Sequence, residues 1–197
     1  TETPIYEKEY LGAKRPDKKI GTRIQGIKDG VQITINIVMA IDIDQIEIFA
    51  KSFAHDHDGF FSWFGHSRVG EGFAVSQLKK IMKANPEFYK LTPNYQIIYW
   101  GGCNSYSYFT TPFFNLKAEI NPINDPNGTK GLDIISNGLP AIAQLSDANA
   151  KTIFAALFNW QDHLSYQKII DKIQKNSEGF LRKESSLINV LGDEDNN

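Results

Sequence analysis

Phe60-Phe61-Ser62-Trp63-Phe64-Gly65-His66-Ser67, followed after one helical segment by Ile97-Ile98-Tyr99-Trp100-Gly101-Gly102-Cys103, decides how this chain is read. Each stretch is an apolar run of strand length that stops at glycine. The first, from Gly59 to Phe64, is nearly continuously apolar, which predicts a strand buried on both faces. Between the two runs, Val75, Leu78, Ile81 and Met82 recur at helical spacing and predict a helix over Phe73–Ala84. Pro86 stops it. Strands alternating with helices predict an α/β fold, with a parallel sheet and helices on both of its faces. In such sheets ligands bind beyond the carboxyl ends of the strands.

That rule selects two loops. One runs from Gly65 to Gly72 and carries His66; the other runs from Gly101 to Ser105 and carries Cys103. The two residues are 37 apart (103 − 66), with one helix between them. A crossover of that kind places the two strands in one sheet, often as neighbours, so that both side chains emerge at the same edge. A thiol beside an imidazole makes a nucleophile and a general base, because the thiolate is the attacking species and the imidazole favours it. The flanking glycines let a substrate backbone approach, and loop N–H groups can face a developing oxyanion.

The same reading extends along the chain. Val31-Gln32-Ile33-Thr34-Ile35-Asn36-Ile37-Val38 alternates apolar and polar residues and predicts a strand. Asp42 or Asp44 caps a predicted helix carrying Ile46, Ile48, Phe49 and Phe53. Leu132–Ser136 reads as a strand. Ser146-Asp147 opens a helix through Ile153, Phe154, Leu157 and Phe158, and a last helix covers Tyr166–Gln174. Phe109–Lys130, rich in Pro, Asn and Thr, reads as a long excursion with a turn at Asp125-Pro126-Asn127-Gly128. Residues 1–30 read as a weakly structured N-terminal arm, 31–191 as the α/β domain, and 192–197 as an acidic tail.

Composition excludes several classes. The 197 residues hold 21 Lys and Arg against 23 Asp and Glu, a net charge of −2, so no basic excess is available to bind a nucleic-acid backbone. Hydrophobic residues make up 41% and charged residues 22%, which excludes global disorder. With Cys103 as the one cysteine, no intramolecular disulfide forms and a cysteine zinc site lacks partners. No apolar run is long enough for a transmembrane helix. The start Thr1-Glu2-Thr3-Pro4, without methionine, leads us to expect a processed secreted or periplasmic protein, or a piece of a longer chain.

The pattern of a hydrophobic strand ending at His66, a helix, and a hydrophobic strand ending at Cys103 resembles the caspase-like cysteine peptidases, the superfamily of caspases, legumain, gingipains and clostripain. Leu132-Asp133-Ile134-Ile135-Ser136-Asn137-Gly138-Leu139-Pro140 and the helix with Phe154 and Phe158 look like that family's next strand and helix. The resemblance covers about Val31 to Trp160. It implies a three-layer αβα sandwich with a mostly parallel sheet. It implies that Cys103 is the nucleophile, His66 the general base, and the N–H groups of Ser67 and Cys103 the oxyanion hole. The substrate would be a peptide or protein, and no cofactor is expected. The family usually has Gly directly after the His, where this chain has Ser67.

Other readings are weaker. Gly65-His66-Ser67-Arg68-Val69-Gly70 nearly matches the Gly-x-Ser-x-Gly elbow of α/β serine hydrolases, with Ser67 as nucleophile and His163 as base, but Val69 stands where the turn needs a small residue. His55 and His57 could face one side as metal ligands, yet the sequence offers no third or fourth ligand. Tyr99, Trp100, Tyr106, Tyr108, Phe109, Phe113 and Phe114 crowd Cys103 as core or as the wall of a substrate groove. Glu71 or Asp58 could orient His66. The substitution at Ser67 motivates one further alternative, a catalytically inactive binding domain on the same fold.

Overall fold

A computed structural model describes residues 1–11, 17–39, 43–55, 59–65, 73–138, 145–176 and 188–192. The chain divides into two compact units, residues 1–55 with 76–90, and residues 56–75 with 91–197.

The first unit is built on an antiparallel sheet of β1 (Glu2–Tyr6), β2 (Lys19–Lys28) and β3 (Val31–Val38), in the order β1-β2-β3. The segment expected as a weakly structured arm therefore supplies two strands and a short helix, α1 (Lys8–Leu11). The missed signal is Asp29-Gly30. Both residues adopt positive φ, 52° and 80°, as a two-residue hairpin turn requires, and they pair Lys28 with Val31. Arg23 on β2 fixes the sheet by donating to Asn36 Oδ1 at 3.0 Å and to Glu9 Oε2 at 2.7 Å. Ile5, Tyr10, Leu11 and Ile20 form a small core, with Val38 and Ile48 packed against it. Ile48 belongs to α2 (Ile43–Ala54), whose Ile46, Phe49, Ala50 and Phe53 are buried at helical spacing. The strand expected at Val31–Val38 is present, but it belongs to this antiparallel sheet. The unit also holds nearly all of α3 (Val75–Ala84).

The second unit carries a mixed, mostly parallel sheet. Its strands are β4 (Phe60–Phe64), β5 (Gln96–Gly101), β6 (Leu132–Asn137) and β7 (Ile188–Leu191), in that order. The first three run parallel, and β7 pairs antiparallel with β6. Among the described residues β4 is the edge strand, and its apolar run is half-buried rather than buried on both faces, with Phe64 42% exposed. On one face of the sheet, Tyr99 and Ile135 form a core with Ile153, Ile169 and Ile173. These last three come from α5 (Ser146–Phe158) and α6 (Tyr166–Asn176). On the alternate face Trp100 lies 4.1 Å from Phe109 and 5.5 Å from Phe113, ring centre to ring centre.

Those two phenylalanines belong to α4 (Ser105–Ala118), which replaces the expected excursion after Phe109. Phe109, Phe113, Leu116 and Lys117 are all buried along it. This packing outweighs the intrinsic cost of Pro112 inside the helix. The expected turn follows, with the Gly128 N–H bonded to the Asp125 carbonyl at 3.1 Å. No helix among the described residues is long and apolar enough to cross a membrane.

Candidate active site

β4 and β5 are parallel neighbours, in register from Phe60 opposite Ile97 to Phe64 opposite Gly101. The chain therefore leaves both strands at the same edge of the sheet. Gly101 is glycine because of Phe64: a Cβ there would lie 2.7 Å from the Phe64 ring. Gly65 lies under Trp63, whose ring atoms would come within 3.1 Å of an added Cβ. His66, Ser67 and Glu71 fall outside the described residues, as do His57 and Asp58.

Cys103 is a free, half-buried thiol in the tight turn between β5 and α4. Asn104 turns the chain into the helix with a left-handed backbone, φ 49° and ψ 28°. Asparagine tolerates that conformation better than most residues. The first turn then closes with the Ser107 N–H donating to the Asn104 carbonyl at 3.1 Å.

Two residues that the sequence reading passed over hold this turn. Ser105 is fully buried; its Oγ accepts from the Asn137 N–H at 2.8 Å and donates to the Trp100 carbonyl at 3.2 Å. Asn137, at the carboxyl end of β6, donates from Nδ2 to the Gly102 carbonyl at 3.3 Å. Three stretches of backbone, at residues 100, 102 and 137, are thereby tied together around Cys103. The available signal was Asn137 itself, a polar residue at a third parallel strand end on the same sheet edge.

The aromatic residues near Cys103 divide by exposure. Trp100, Phe109, Phe113 and Phe114 are buried core, whereas Tyr106 and Tyr108 on α4 are 38% and 42% exposed. Tyr99 faces the other side of the sheet, and burial pushes its hydroxyl up to about 12. Tyr106 and Tyr108 thus remain as the residues that can wall a groove.

His163 is exposed, in a left-handed conformation after the short turn Trp160–Asp162. It lies three residues before Tyr166. The Tyr166 hydroxyl donates to Asp133 Oδ2 at 2.7 Å, near the amino end of β6. Tyr95, just before β5, donates to the same oxygen. Burial first, then these partners, pushes the Tyr166 hydroxyl far above the ordinary phenol range. This part-buried cluster was also not read from sequence; it sits at the end of the sheet opposite the Cys103 turn. His55, at the end of α2, is exposed, and among the described residues no three His, Cys, Asp or Glu side chains gather as metal ligands.

No family model matches the chain, and no curated protein or solved structure matches it.

Proposed function

We propose that this chain is a caspase-like cysteine peptidase domain that hydrolyses peptide bonds with Cys103 as nucleophile and His66 as general base. The observation that carries the reading is the parallel pairing of β4 and β5, with Phe64 opposite Gly101. Both strands end at one sheet edge, where the two loops named from sequence begin. In this reading the second unit is the core of a three-layer αβα sandwich. Its support is the side-chain packing on both faces: Tyr99 and Ile135 against α5 and α6, and Trp100 against α4.

The chemistry follows from the turn. His66 takes the Cys103 thiol proton, and the resulting thiolate attacks the peptide carbonyl carbon. The N–H groups of Ser67 and Cys103 receive the developing oxyanion. Collapse of the tetrahedral intermediate breaks the C–N bond, and His66 protonates the leaving amine. Water, deprotonated by His66, then hydrolyses the thioester. Exposed Tyr106 and Tyr108 offer ring surface to the peptide.

The test is iodoacetamide alkylation of Cys103 against pH, in wild type and His66→Ala, alongside hydrolysis of a peptide library. A working dyad alkylates quickly at pH 6, below the ordinary thiol pKa of ~8.5, and loses that reactivity with His66→Ala. Hydrolysis must vanish in Cys103→Ala. Slow alkylation at pH 6 in both proteins, with no hydrolysis, would overturn the peptidase reading. It would favour the second reading, an inactive binding domain, which the serine at position 67 supports.

A further inference from the structure

We infer that β3 is a self-association edge, on which two copies of this chain pair antiparallel to make one continuous six-stranded sheet. This edge lies wholly in the first unit and does not depend on the peptidase reading.

The two edges of the β1-β2-β3 sheet are unlike. β1 carries Glu2 and Pro4, and a charge and a missing N–H both oppose strand addition. β3 is eight residues long and holds no Lys, Arg, Asp, Glu, Pro or Gly. Among the described residues its backbone pairs on one side only, with β2. Met39 N–H donates inward to the Ile20 carbonyl at 3.0 Å. By the alternation of an antiparallel ladder, Ile37, Ile35, Ile33 and Val31 also bond inward. The N–H and C=O groups of Gln32, Thr34, Asn36 and Val38 therefore point out from the free edge.

The side chains agree with the backbone. Val31, Ile33, Ile35 and Ile37 share one face; Val31 is 51% and Ile37 52% exposed, and Met39 beyond them is 82% exposed. Such a long, uncharged, β-branched edge is what proteins normally blunt when no partner is meant to add to it.

A second copy fits this edge because the strand is complementary to itself. With Thr34 on a two-fold axis, Ile33 lies opposite Ile35, Val31 opposite Ile37, and Gln32 opposite Asn36. Each of the four apolar residues Val31, Ile33, Ile35 and Ile37 then meets another of them, and Val38 falls opposite Gly30 of the turn. The two carboxamides, each with donor and acceptor, meet each other, and no like charges are opposed. The arrangement is isologous and closes at two copies. A charged peptide finds no counter-charge on this strand.

The test is sedimentation of the 197-residue chain between about 5 and 200 µM, a range that brackets micromolar association. Wild type should approach twice the monomer mass at the upper end. Thr34→Lys, which sets two ammonium groups against each other at the axis, should remain monomeric with an unchanged circular dichroism spectrum. Gln32→Lys, at another exposed edge position, should weaken association at least tenfold. In wild type, amide exchange at Thr34 and Asn36 should quicken on dilution, a readout that needs no variant. A wild type that stays monomeric at the upper concentration, or a folded Thr34→Lys as dimeric as wild type, would overturn the inference.

Discussion

Replacing Ser105 with alanine tests whether the turn around Cys103 is held as described. The Ser105 hydroxyl is fully buried and serves two backbone groups at once. Its removal leaves the Asn137 N–H without its acceptor, and a buried unsatisfied N–H costs roughly 1–3 kcal/mol. The Trp100 carbonyl loses a donor, a further ~1 kcal/mol. The expected destabilisation is therefore about 2–4 kcal/mol, a large part of a typical stability of 5–15 kcal/mol. In a chain of this length it should lower Tm by about 5–15 °C. The assay is urea and thermal unfolding followed by tryptophan fluorescence, since Trp100 reports from the strand concerned. Ser107→Ala, two residues along and exposed, is the control and should stay within about 0.5 kcal/mol of wild type. If Ser105→Ala also falls within that margin, the hydroxyl does not clamp the turn and the positional argument for Cys103 loses its anchor.

Two further outcomes follow from groups away from that turn. Lys117 is buried and donates to the carbonyls of Thr92 and Asn94 at 2.9 and 3.0 Å; burial lowers it to about 8, against a smaller opposing pull from Asp125. Its folded pKa lies below its unfolded value of 10.5, so between those values the unfolded chain holds more protons and stability from this site rises with pH. The stability difference between wild type and Lys117→Met, measured by urea unfolding, should therefore shift in favour of wild type from pH 8 to 10.5; a flat difference would refute the assignment. Gly128 has φ +71°, and a Cβ there would sit 1.8 Å from the Phe114 carbonyl oxygen, so Gly128→Ala should cost at least ~2 kcal/mol by the same assay.

The sequence carried the elements more fully than their partners. The alternation in Val31–Val38 identified a strand, and the runs ending at Phe64 and Trp100 identified two more within a residue or so of their bounds. Alternation also signals a sheet with one face toward solvent, and this is why β3 belongs with the hairpin strands rather than with the parallel ones. The Asp29-Gly30 turn beside it was legible and would have given β2. The region after Phe109 misled because Pro112 and several Asn and Thr residues punctuate it. The helical spacing of Phe109, Phe113 and Leu116 was present but pays off only against Trp100, a tertiary contact that local propensity does not contain. For the candidate site, the pairing of β4 with β5 agrees with the expectation drawn from the His66 and Cys103 spacing. Ser105 was out of reach for a different reason, and Asn137 was signalled only by its place at a strand end. Small polar residues at strand ends show no periodicity, and their meeting depends on β5 and β6 lying side by side.

The two sheets also differ in how far along the chain their partners lie. In the hairpin, Lys28 pairs with Val31 across two residues, and every other pair is nested around that turn. A hairpin of this kind forms in roughly 1–10 µs. In the parallel sheet, Trp63 must find Trp100, and Trp100 must find Ser136, each across a span that includes a whole helix. Closing such spans spends chain entropy before any contact rewards it, and topologies of that sort fold slowly. The lower contact order of the hairpin therefore predicts that the β3 edge forms before β4, β5 and β6 pair with one another. During that interval the nascent chain exposes both a finished strand edge and unpaired apolar runs, and its fate depends on how quickly β5 captures its two neighbours.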